Sequence, residues 1–395
     1  MATLHLPRQI EIGPGSILKI KDAIITCKIT KPFIIMDEFL TLEPLQIHKK
    51  VEESLQELDI EFELFKKDSG EPTTNHVANA LKILNRSKSD GVIAIGGGSA
   101  IDIAKSVALF AKSDHLQWDE VTEQSYLDKL PLIAIPTTAG TGSEATGIMV
   151  ISDMDLGVKL NPGHPHLLPD VAILDPELTV SLPQHFTAFT GLDALTHAIE
   201  AYVSTKANNL TDSYALEAIR LISNSLHTAY ESGNNVEARQ NMLLASCYAG
   251  TAFFNASTNL AHAAGRALGT RFNVPHGLSV AVLLPFVMEY GMDSATERYR
   301  DIAVALGADS NKSNLELANE SIEIIHEYNE KFSIMNALSK YIDDESKLKT
   351  AIPILIKDAL SGNGVLTNRK VPMENDIEKI FLSVVSKLQE LKTKL

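Results

Sequence analysis

Three histidines and one aspartate form the most specific chemical pattern in the chain. Asp193 and His197 lie in GLDALTHAIEAYVS at a spacing of i, i+4, which places both side chains on one face of a predicted helix. His262 and His276 follow in LAHAAGRALGTRFNVPHGLS, each among small or apolar residues. Three imidazoles and one carboxylate can hold a divalent metal ion and leave one coordination position open. Since buried histidines also occur as ordinary core residues, these four residues alone leave a purely structural role open.

A glycine-rich turn offers a site for an anion. Gly97, Gly98 and Ser99 directly follow the predicted strand GVIAIG and open a predicted helix that also contains Asp102. Glycines let the backbone approach a ligand closely, and the N–H groups at a helix start attract phosphate. The pattern therefore favours a dinucleotide pyrophosphate site, with a tight structural turn as the alternative. It is not the usual GxGxxG fingerprint.

Two further segments extend this candidate cofactor site. The run PTTAGTGSE follows another predicted strand, and its Thr137, Thr138 and Thr141 can line the phosphate or nicotinamide end of the cofactor. A polar turn is the structural alternative for this run. Asp37 ends the predicted strand PFIIMD, where a carboxylate can accept hydrogen bonds from an adenosine ribose and repel a 2′-phosphate. These residues predict NAD(H) as the cofactor, unless Asp37 is only a solvated carboxylate.

The elements that must carry these residues change in kind near the middle of the chain. The first part alternates strands with helices, the strands being predicted at Pro32–Asp37, Gly91–Gly96, Leu132–Thr138 and Val171–Asp175 and the helices over 44–58, 75–86 and 100–111. Such alternation predicts a parallel sheet covered by helices on both faces. After Leu182 the strands stop, and a period of 3.6 residues predicts helices over 189–204, 212–231 and 236–254.

Two domains follow from this change. Residues 1–180 are predicted to form an α/β, Rossmann-like dinucleotide-binding domain with a parallel sheet, and residues 181–395 an all-helical metal-binding domain. We expect the active site in the cleft between the domains, because small-molecule sites often lie at such places.

Composition excludes several other classes of protein. The 395 residues include 35 Lys and Arg against 50 Asp and Glu, a net charge of −15, which argues against nucleic-acid binding. The two cysteines, Cys27 and Cys247, form neither a disulfide framework nor a CxxC zinc site and fit a reducing cytosol. There is no signal-peptide pattern at the N-terminus, and the apolar run Val280–Met288 is too short to cross a bilayer. We therefore expect a cytoplasmic protein without a membrane or nucleic-acid partner.

Over almost its whole length the chain resembles the iron-containing (group III) alcohol dehydrogenase family. The resemblance rests on the motifs above, on LLPDVAILDPELT, HAAGRALG and the VPHG turn, and on the late TNR. It implies that the family's metal ligands fall on Asp193, His197, His262 and His276, its pyrophosphate loop on Gly97, Gly98 and Ser99 near Asp102, its nicotinamide-side threonines on Thr137, Thr138 and Thr141, and its NAD-selecting acid on Asp37. It also implies a homodimer or a larger homo-oligomer.

The resemblance predicts an NAD(H)-dependent alcohol dehydrogenase or aldehyde reductase. Hydride would pass between the nicotinamide and a short-chain alcohol or aldehyde whose oxygen the metal holds. The resemblance implies Fe²⁺ as the metal ion, and the same ligands also suit Zn²⁺, Co²⁺ or Mn²⁺. The remote alternatives are a dehydroquinate-synthase-like lyase, a glycerol-type dehydrogenase and a binding protein without catalysis.

Arg266 departs from the family pattern, since many members have a second histidine at this position. On a helix it would lie one turn after His262 on the same face, where its guanidinium could bind the tail of an anionic aldehyde such as sulfoacetaldehyde or phosphonoacetaldehyde. Arg266 is therefore a candidate active-site residue. It could instead pair with Glu144 or Glu200, or face solvent. The loop Asn161–Pro165 also differs from the family, which leaves the substrate open.

Overall fold

A six-stranded parallel sheet forms the centre of the first part of the chain. The computed structural model describes residues 2–362 and 364–394, and in it the strand order is β1-β8-β5-β4-β2-β3. The bounds are β1 Gln9–Ile12, β2 Pro32–Asp37, β3 Glu63–Lys67, β4 Gly91–Gly96, β5 Leu132–Pro136 and β8 Val171–Leu174, with an antiparallel pair, β6 Ile151–Asp153 and β7 Val158–Leu160, outside the sheet.

The central strands are buried on both faces, which is why they read as continuous apolar runs. In β2, Phe33 and Ile35 pack into one apolar cluster, whereas Ile34 and Met36 pack into another on the opposite side of the sheet. Every residue of β2 and β4 is buried. The predicted α/β fold with a parallel sheet is confirmed, and β2 and β4 have the predicted bounds. The short edge strands β1 and β3 were not predicted.

The helices account for most of the remaining chain. Their bounds are α1 Ile20–Cys27, α2 Ile47–Gln56, α3 Thr74–Ser87, α4 Gly98–Phe110, α5 Gln184–Val203, α6 Asn209–Glu231, α7 Val236–Ala256, α8 Leu260–Phe272, α9 His276–Gly291, α10 Thr296–Ala305, α11 Asn314–Lys331, α12 Ile334–Ser339, α13 Glu345–Leu360 and α14 Glu374–Lys394. The helical C-terminal region is thus confirmed. Within the described chain, no helix is both long enough and apolar enough to cross a membrane.

The chain divides into two compact units. The sheet unit consists of His5–Leu182 and Gly233–Gly250, and the helical unit of Met1–Leu4, Pro183–Ser232 and Thr251–Leu395. The sheet unit therefore takes residues 233–250 from the sequence range that was predicted to be wholly in the helical domain. The reason is a close backbone contact, since a Cβ atom at Gly250 would lie 2.6 Å from the carbonyl oxygen of Gly142.

The strand order places three predicted site segments at one edge of the sheet. Going along the chain, β2 is followed by β3 on one side, whereas β4 is followed by β5 on the other. Ligands of open α/β sheets bind outside the carboxyl ends of the strands at such a switch point. Asp37, Gly97 and Thr137 end or directly follow β2, β4 and β5, so they share this edge.

Candidate functional site

One face of helix α5 carries three buried polar side chains. Asp193, His197 and Glu200 are spaced i, i+4 and i+7, so they follow one another along that face. They are only 2–5% exposed. Burying such groups costs free energy unless partners satisfy them. The helices that pack on this face must therefore supply hydrogen-bond partners or leave room for a cation.

Helices α8 and α9 bring two histidines to the aspartate. His262 lies in the first turn of α8, and His276 is the first residue of α9. The Nε2 atom of His262 is 3.4 Å, and that of His276 3.7 Å, from Oδ1 of Asp193. One ligand atom from each residue lies within 4.8 Å of the other two. Three of the four predicted metal ligands therefore converge.

A close backbone approach puts His276 beside α5. A Cβ atom at Gly277 would fall against the carbonyl oxygen of Phe189, which lies on α5. No residue with a side chain fits there without a shift of the backbone. The glycine after His276 therefore allows the start of α9 to reach Asp193.

The donor set fits a divalent transition-metal ion. Among the residues that the structure describes, Oδ1 of Asp193 and Nε2 of His262 are buried without a hydrogen-bond partner. A carboxylate oxygen and imidazole nitrogens are ligands that Fe²⁺ and Zn²⁺ accept, whereas Ca²⁺ and Mg²⁺ prefer all-oxygen sites. A cation held between these atoms would satisfy both of them.

The charges of this group perturb one another. Burial alone would raise the pKa of Asp193, but the neighbouring imidazoles, first that of His197, lower it to about 2. Burial alone would lower the pKa of His262, whereas Glu200 and Asp193 raise it to about 9. The carboxylate is therefore ionised at neutral pH, and a metal ion would have to displace a proton from His262.

His197, the fourth predicted ligand, lies beside this group. Its ring is stacked between Phe253 and His262, with centroids 4.2 Å away on each side. The face of the imidazole, not its edge, is thus turned toward His262, because Phe253 fills the space behind it. Coordination by His197 stays a prediction.

In the sheet unit, Asp37 joins the ends of β2 and β4. Its Oδ2 accepts a 2.9 Å hydrogen bond from the N–H of Gly97, and its Oδ1 lies 3.7 Å from Nζ of Lys67. Burial raises the pKa of Asp37, while Gly97 and Lys67 oppose that rise. Gly97 belongs to the predicted pyrophosphate loop, and its amide donates to Asp37 in this structure. Binding of a pyrophosphate by the loop stays a prediction. Since α4 has no side-chain cap among the described residues, an anion can still reach the first-turn amides of Gly98 and Ser99.

The two glycine-rich segments lie against each other. The N–H of Thr137 donates to the last carbonyl of β4 at 2.9 Å. A Cβ atom at Gly98 would lie 2.7 Å from the side chain of Thr141, and one at Gly97 would lie 3.6 Å from that of Thr138. The structure therefore gathers the predicted cofactor residues of both segments on one surface of the sheet unit.

A buried polar cluster fastens the segment after β5 to helix α4. Asp102 accepts hydrogen bonds from Oγ of Ser143 at 2.6 Å and from the N–H of Val150 at 2.9 Å. The fully buried Lys105 lies 3.6 Å from Asp102 and donates to Ser143 at 2.7 Å. Both oxygens of Asp102 thus serve the protein itself. Within this structure Asp102 orders the segment after β5, and its predicted contact with the cofactor stays a prediction.

Arg266 has no charge partner in the described part of the chain. It is half-buried on α8, one turn after His262, and no carboxylate of residues 2–362 and 364–394 lies within 4.0 Å of its guanidinium. Glu200, a partner that the sequence left open, has both oxygens occupied by the backbone of Asn259 and Ala261 and by His262. Burial lowers the pKa of Arg266, and the charge of Glu200 opposes this from a distance.

The loop Asn161–Pro165 is tied to the sheet unit through its histidine. His164 places Nε2 3.0 Å from the carbonyl oxygen of Gln124, and His166 places Nδ1 3.1 Å from the N–H of Leu127. Both histidines therefore bind backbone atoms of the segment 124–127, and neither belongs to the group around Asp193.

Sequence reasoning missed two buried residues next to these sites. Glu200 had a signal, because it continues the spacing of Asp193 and His197 along one helix face. The signal for Lys105 was weaker, because it consisted only of a single lysine in the largely apolar run AIDIAKSVALF. Its burial lowers its pKa to about 8, and the pKa of the neighbouring buried Glu144 is raised to about 7.

Comparison with known proteins gives matches over both units. The family model described as iron-containing alcohol dehydrogenase matches residues 7–176, and that for the C-terminal part of the Fe-containing alcohol dehydrogenase family matches residues 187–385. The chain is 44% identical over 305 residues to the probable alcohol dehydrogenase EutG of Escherichia coli, covering 77% of each protein. It is 32% identical to the NADPH-dependent butanol dehydrogenase of Clostridium saccharobutylicum, covering 96% of this chain and 97% of that protein.

Solved structures agree with this relationship. The structure of a 1,3-propanediol oxidoreductase superposes with a TM-score of 0.92 at 32% identity and covers 97% of this chain and 100% of its own. A sulfoacetaldehyde reductase from Bifidobacterium kashiwanohense in complex with NAD⁺ superposes with a TM-score of 0.86 at 26% identity, covering 98% and 99%. The chain therefore belongs to the iron-containing alcohol dehydrogenase family and is an oxidoreductase that acts on alcohols.

Proposed function

We propose that the protein is an NAD(H)-dependent, divalent-metal-dependent alcohol dehydrogenase that interconverts short-chain alcohols and aldehydes. The observation that carries this proposal is the convergence of Asp193, His262 and His276, two of whose buried ligand atoms have no hydrogen bond within the described chain. Family membership favours an oxidoreductase over the lyase that the sequence left as a remote alternative.

The helical unit would hold the metal ion. Asp193, His262 and His276 are its ligands in this proposal, with His197 as the fourth. A bound divalent ion supplies Lewis-acid stabilisation of negative charge on the substrate oxygen. Asp193 keeps its negative charge at neutral pH and offsets part of the ion's charge. We propose Fe²⁺ as the ion, while the same ligands also suit Zn²⁺, Co²⁺ and Mn²⁺.

The sheet unit would bind the cofactor. NAD(H) supplies or accepts the hydride. The first-turn amides of Gly98 and Ser99 would bind its pyrophosphate, and Asp37 would accept hydrogen bonds from its adenosine ribose. Thr138 lies beside Gly97 and Thr141 beside Gly98, and both threonines would line the path toward the nicotinamide. A cytoplasmic location and a homodimer or larger homo-oligomer complete the proposal.

Metal-dependent turnover tests this function. The full-length protein, stripped with a chelator, should oxidise NADH with butyraldehyde only after Fe²⁺, Zn²⁺ or Mn²⁺ is returned. His262→Ala should lose about a hundredfold or more of kcat/KM, since Lewis-acid stabilisation is worth several kcal/mol. His185→Ala, at an exposed position of α5, the helix that carries Asp193, is the control and should keep wild-type activity. Full activity of the stripped protein, or of His262→Ala, contradicts the proposal.

Cofactor choice tests the role of Asp37. Its carboxylate would meet a 2′-phosphate with like charge in a buried setting, so we expect NADH to be preferred over NADPH. In Asp37→Asn the amide oxygen can still accept the hydrogen bond from Gly97, but the charge is gone. We expect the ratio of kcat/KM for NADH to that for NADPH to fall at least tenfold, about 1.4 kcal/mol. Asp37→Gly should narrow the preference in the same direction.

The exposed neighbour Glu38 provides the matched control for this measurement. Glu38→Gln removes the same charge one residue further along the chain and should leave the cofactor ratio unchanged. A wild-type protein that prefers NADPH would show that Asp37 does not select the cofactor.

Arg266 favours a second candidate function, the reduction of small anionic aldehydes. Its half-buried guanidinium lacks a carboxylate partner among the described residues and lies one turn from the metal ligand His262. Desolvating an unpaired cation is costly, and a carboxylate, sulfonate or phosphonate would offset that cost through paired hydrogen bonds. The similarity to a sulfoacetaldehyde reductase supports this substrate class.

A comparison of two aldehydes tests the second function. Arg266→Met keeps the aliphatic part of the side chain but removes the charge. If Arg266 binds the anionic tail, kcat/KM for sulfoacetaldehyde should fall at least tenfold more than kcat/KM for butyraldehyde, because truncating one partner of a desolvated charge pair costs about 2–5 kcal/mol. Arg271→Met, exposed on the same helix, should change neither. Equal losses on both aldehydes would make Arg266 a structural residue and leave neutral alcohols as the substrates.

A further inference from the structure

Glu200 is a buried carboxylate with several bonds next to the candidate metal centre. It is 2% exposed and lies on α5, on the same face as Asp193 and His197. Its Oε1 accepts the N–H of Ala261 at 2.6 Å, while its Oε2 accepts the N–H of Asn259 at 2.8 Å and approaches Nδ1 of His262 at 2.6 Å. Both carboxylate oxygens therefore bond to groups at the start of α8.

The bond to His262 fixes the protonation of that ring. An ionised carboxylate only accepts hydrogen bonds, so Nδ1 of His262 carries a proton, and a metal ion would replace the proton on Nε2. The other nitrogen, Nε2, is the one that faces Asp193 at 3.4 Å and belongs to the candidate metal group. Metal-binding histidines generally hold their second nitrogen in this way, and the partner sets both tautomer and ring orientation.

The bonds to the backbone fix the helix that carries this ring. The first N–H groups of a helix have no partner within the helix. Helix α8 begins at Leu260, and the side chain of Asn259 at its cap position makes no cap hydrogen bond. The carboxylate of Glu200 takes up two of these amides from the neighbouring helix, and its negative charge is favourable at a helix N-terminus.

We propose that Glu200 is a positioning residue for the metal centre. It holds His262 in the Nδ1–H tautomer and anchors the start of α8 on α5, so that Nε2 is presented to the cation. This inference rests on the proposed function, because it requires that Asp193, His262 and His276 bind a metal ion. Glu200 itself does not touch the ion.

Metal affinity separates this role from that of a simple helix cap. The full-length protein, stripped of metal, is titrated with Co²⁺ against a competing chelator, and binding is read from the d–d absorption of the bound ion. In Glu200→Gln the amide keeps the shape but offers one acceptor oxygen in place of two, and it carries no charge. We expect Co²⁺ affinity to fall at least tenfold in Glu200→Gln and further in Glu200→Ala, within the range of about 10–100-fold typical of such partners.

Asn259→Ala is the matched control. The Asn259 side chain donates to the backbone carbonyl of Glu200 at 2.9 Å, so its removal loosens the same helix start without touching the bond from Glu200 to His262. We expect a lower thermal midpoint with Co²⁺ affinity close to that of the wild type. Glu200→Gln should lose affinity at an equal or smaller loss of thermal midpoint.

The outcomes distinguish the possible failures. If Glu200→Gln and Glu200→Ala bind Co²⁺ as tightly as the wild type and lose only thermal stability, Glu200 is a helix cap and the inference is wrong. If Glu200→Ala does not fold, Glu200→Gln alone decides, since it is nearly isosteric. If the wild type itself binds no Co²⁺, or His262→Ala binds it equally well, the proposed function fails together with the inference.

Discussion

The helical unit depends on how one buried carboxylate, that of Asp193, is satisfied. An ionised group with 2% exposure is costly inside a protein unless positive charge or donors surround it. Two neighbouring helices supply these partners to the carboxylate on α5. The first turns of α8 and α9 bring His262 and His276 to it. Gly277 permits the approach of α9, and Glu200 holds the start of α8. The packing of these helices and the chemistry of the site therefore have the same physical cause.

In the sheet unit, too, buried charged side chains are satisfied by partners that they hold in place. Asp37, Asp102 and Lys105 are buried and charged, and each bonds to a loop that follows a strand. Asp37 fixes the turn after β4, while Asp102 and Lys105 fix the segment after β5. Ordering these loops in advance would lower the entropy cost of the proposed cofactor binding.

Much of this arrangement follows from sequence, and the reason differs from element to element. The strands β2 and β4 were predicted with their bounds because burial on both faces leaves an uninterrupted apolar run, PFIIMD or GVIAIG. Asp193 and His197 were predicted as neighbours because their spacing is local. The edge strands QIEI and ELFKK were missed, since short, partly exposed strands that carry polar or charged side chains resemble loops.

What the sequence did not show depends on partners that are distant along the chain. Glu200 meets its donors 59–62 residues later, and only the packing of α8 on α5 brings them together. The stacking of His197 between Phe253 and His262 also follows from packing, whereas its prediction as a ligand rested on its spacing from Asp193 and on the family resemblance. Arg266 shows the converse, because the sequence offered it a carboxylate partner that the folded chain uses elsewhere.

Anomalous diffraction from crystals of the metal-loaded protein tests the central claim most directly. We expect a single strong peak about 2.0–2.2 Å from a carboxylate oxygen of Asp193 and from Nε2 of both His262 and His276, with Nδ1 of His262 still bonded to Glu200. A peak at another position, or an ion bound to His262 through Nδ1, would contradict it.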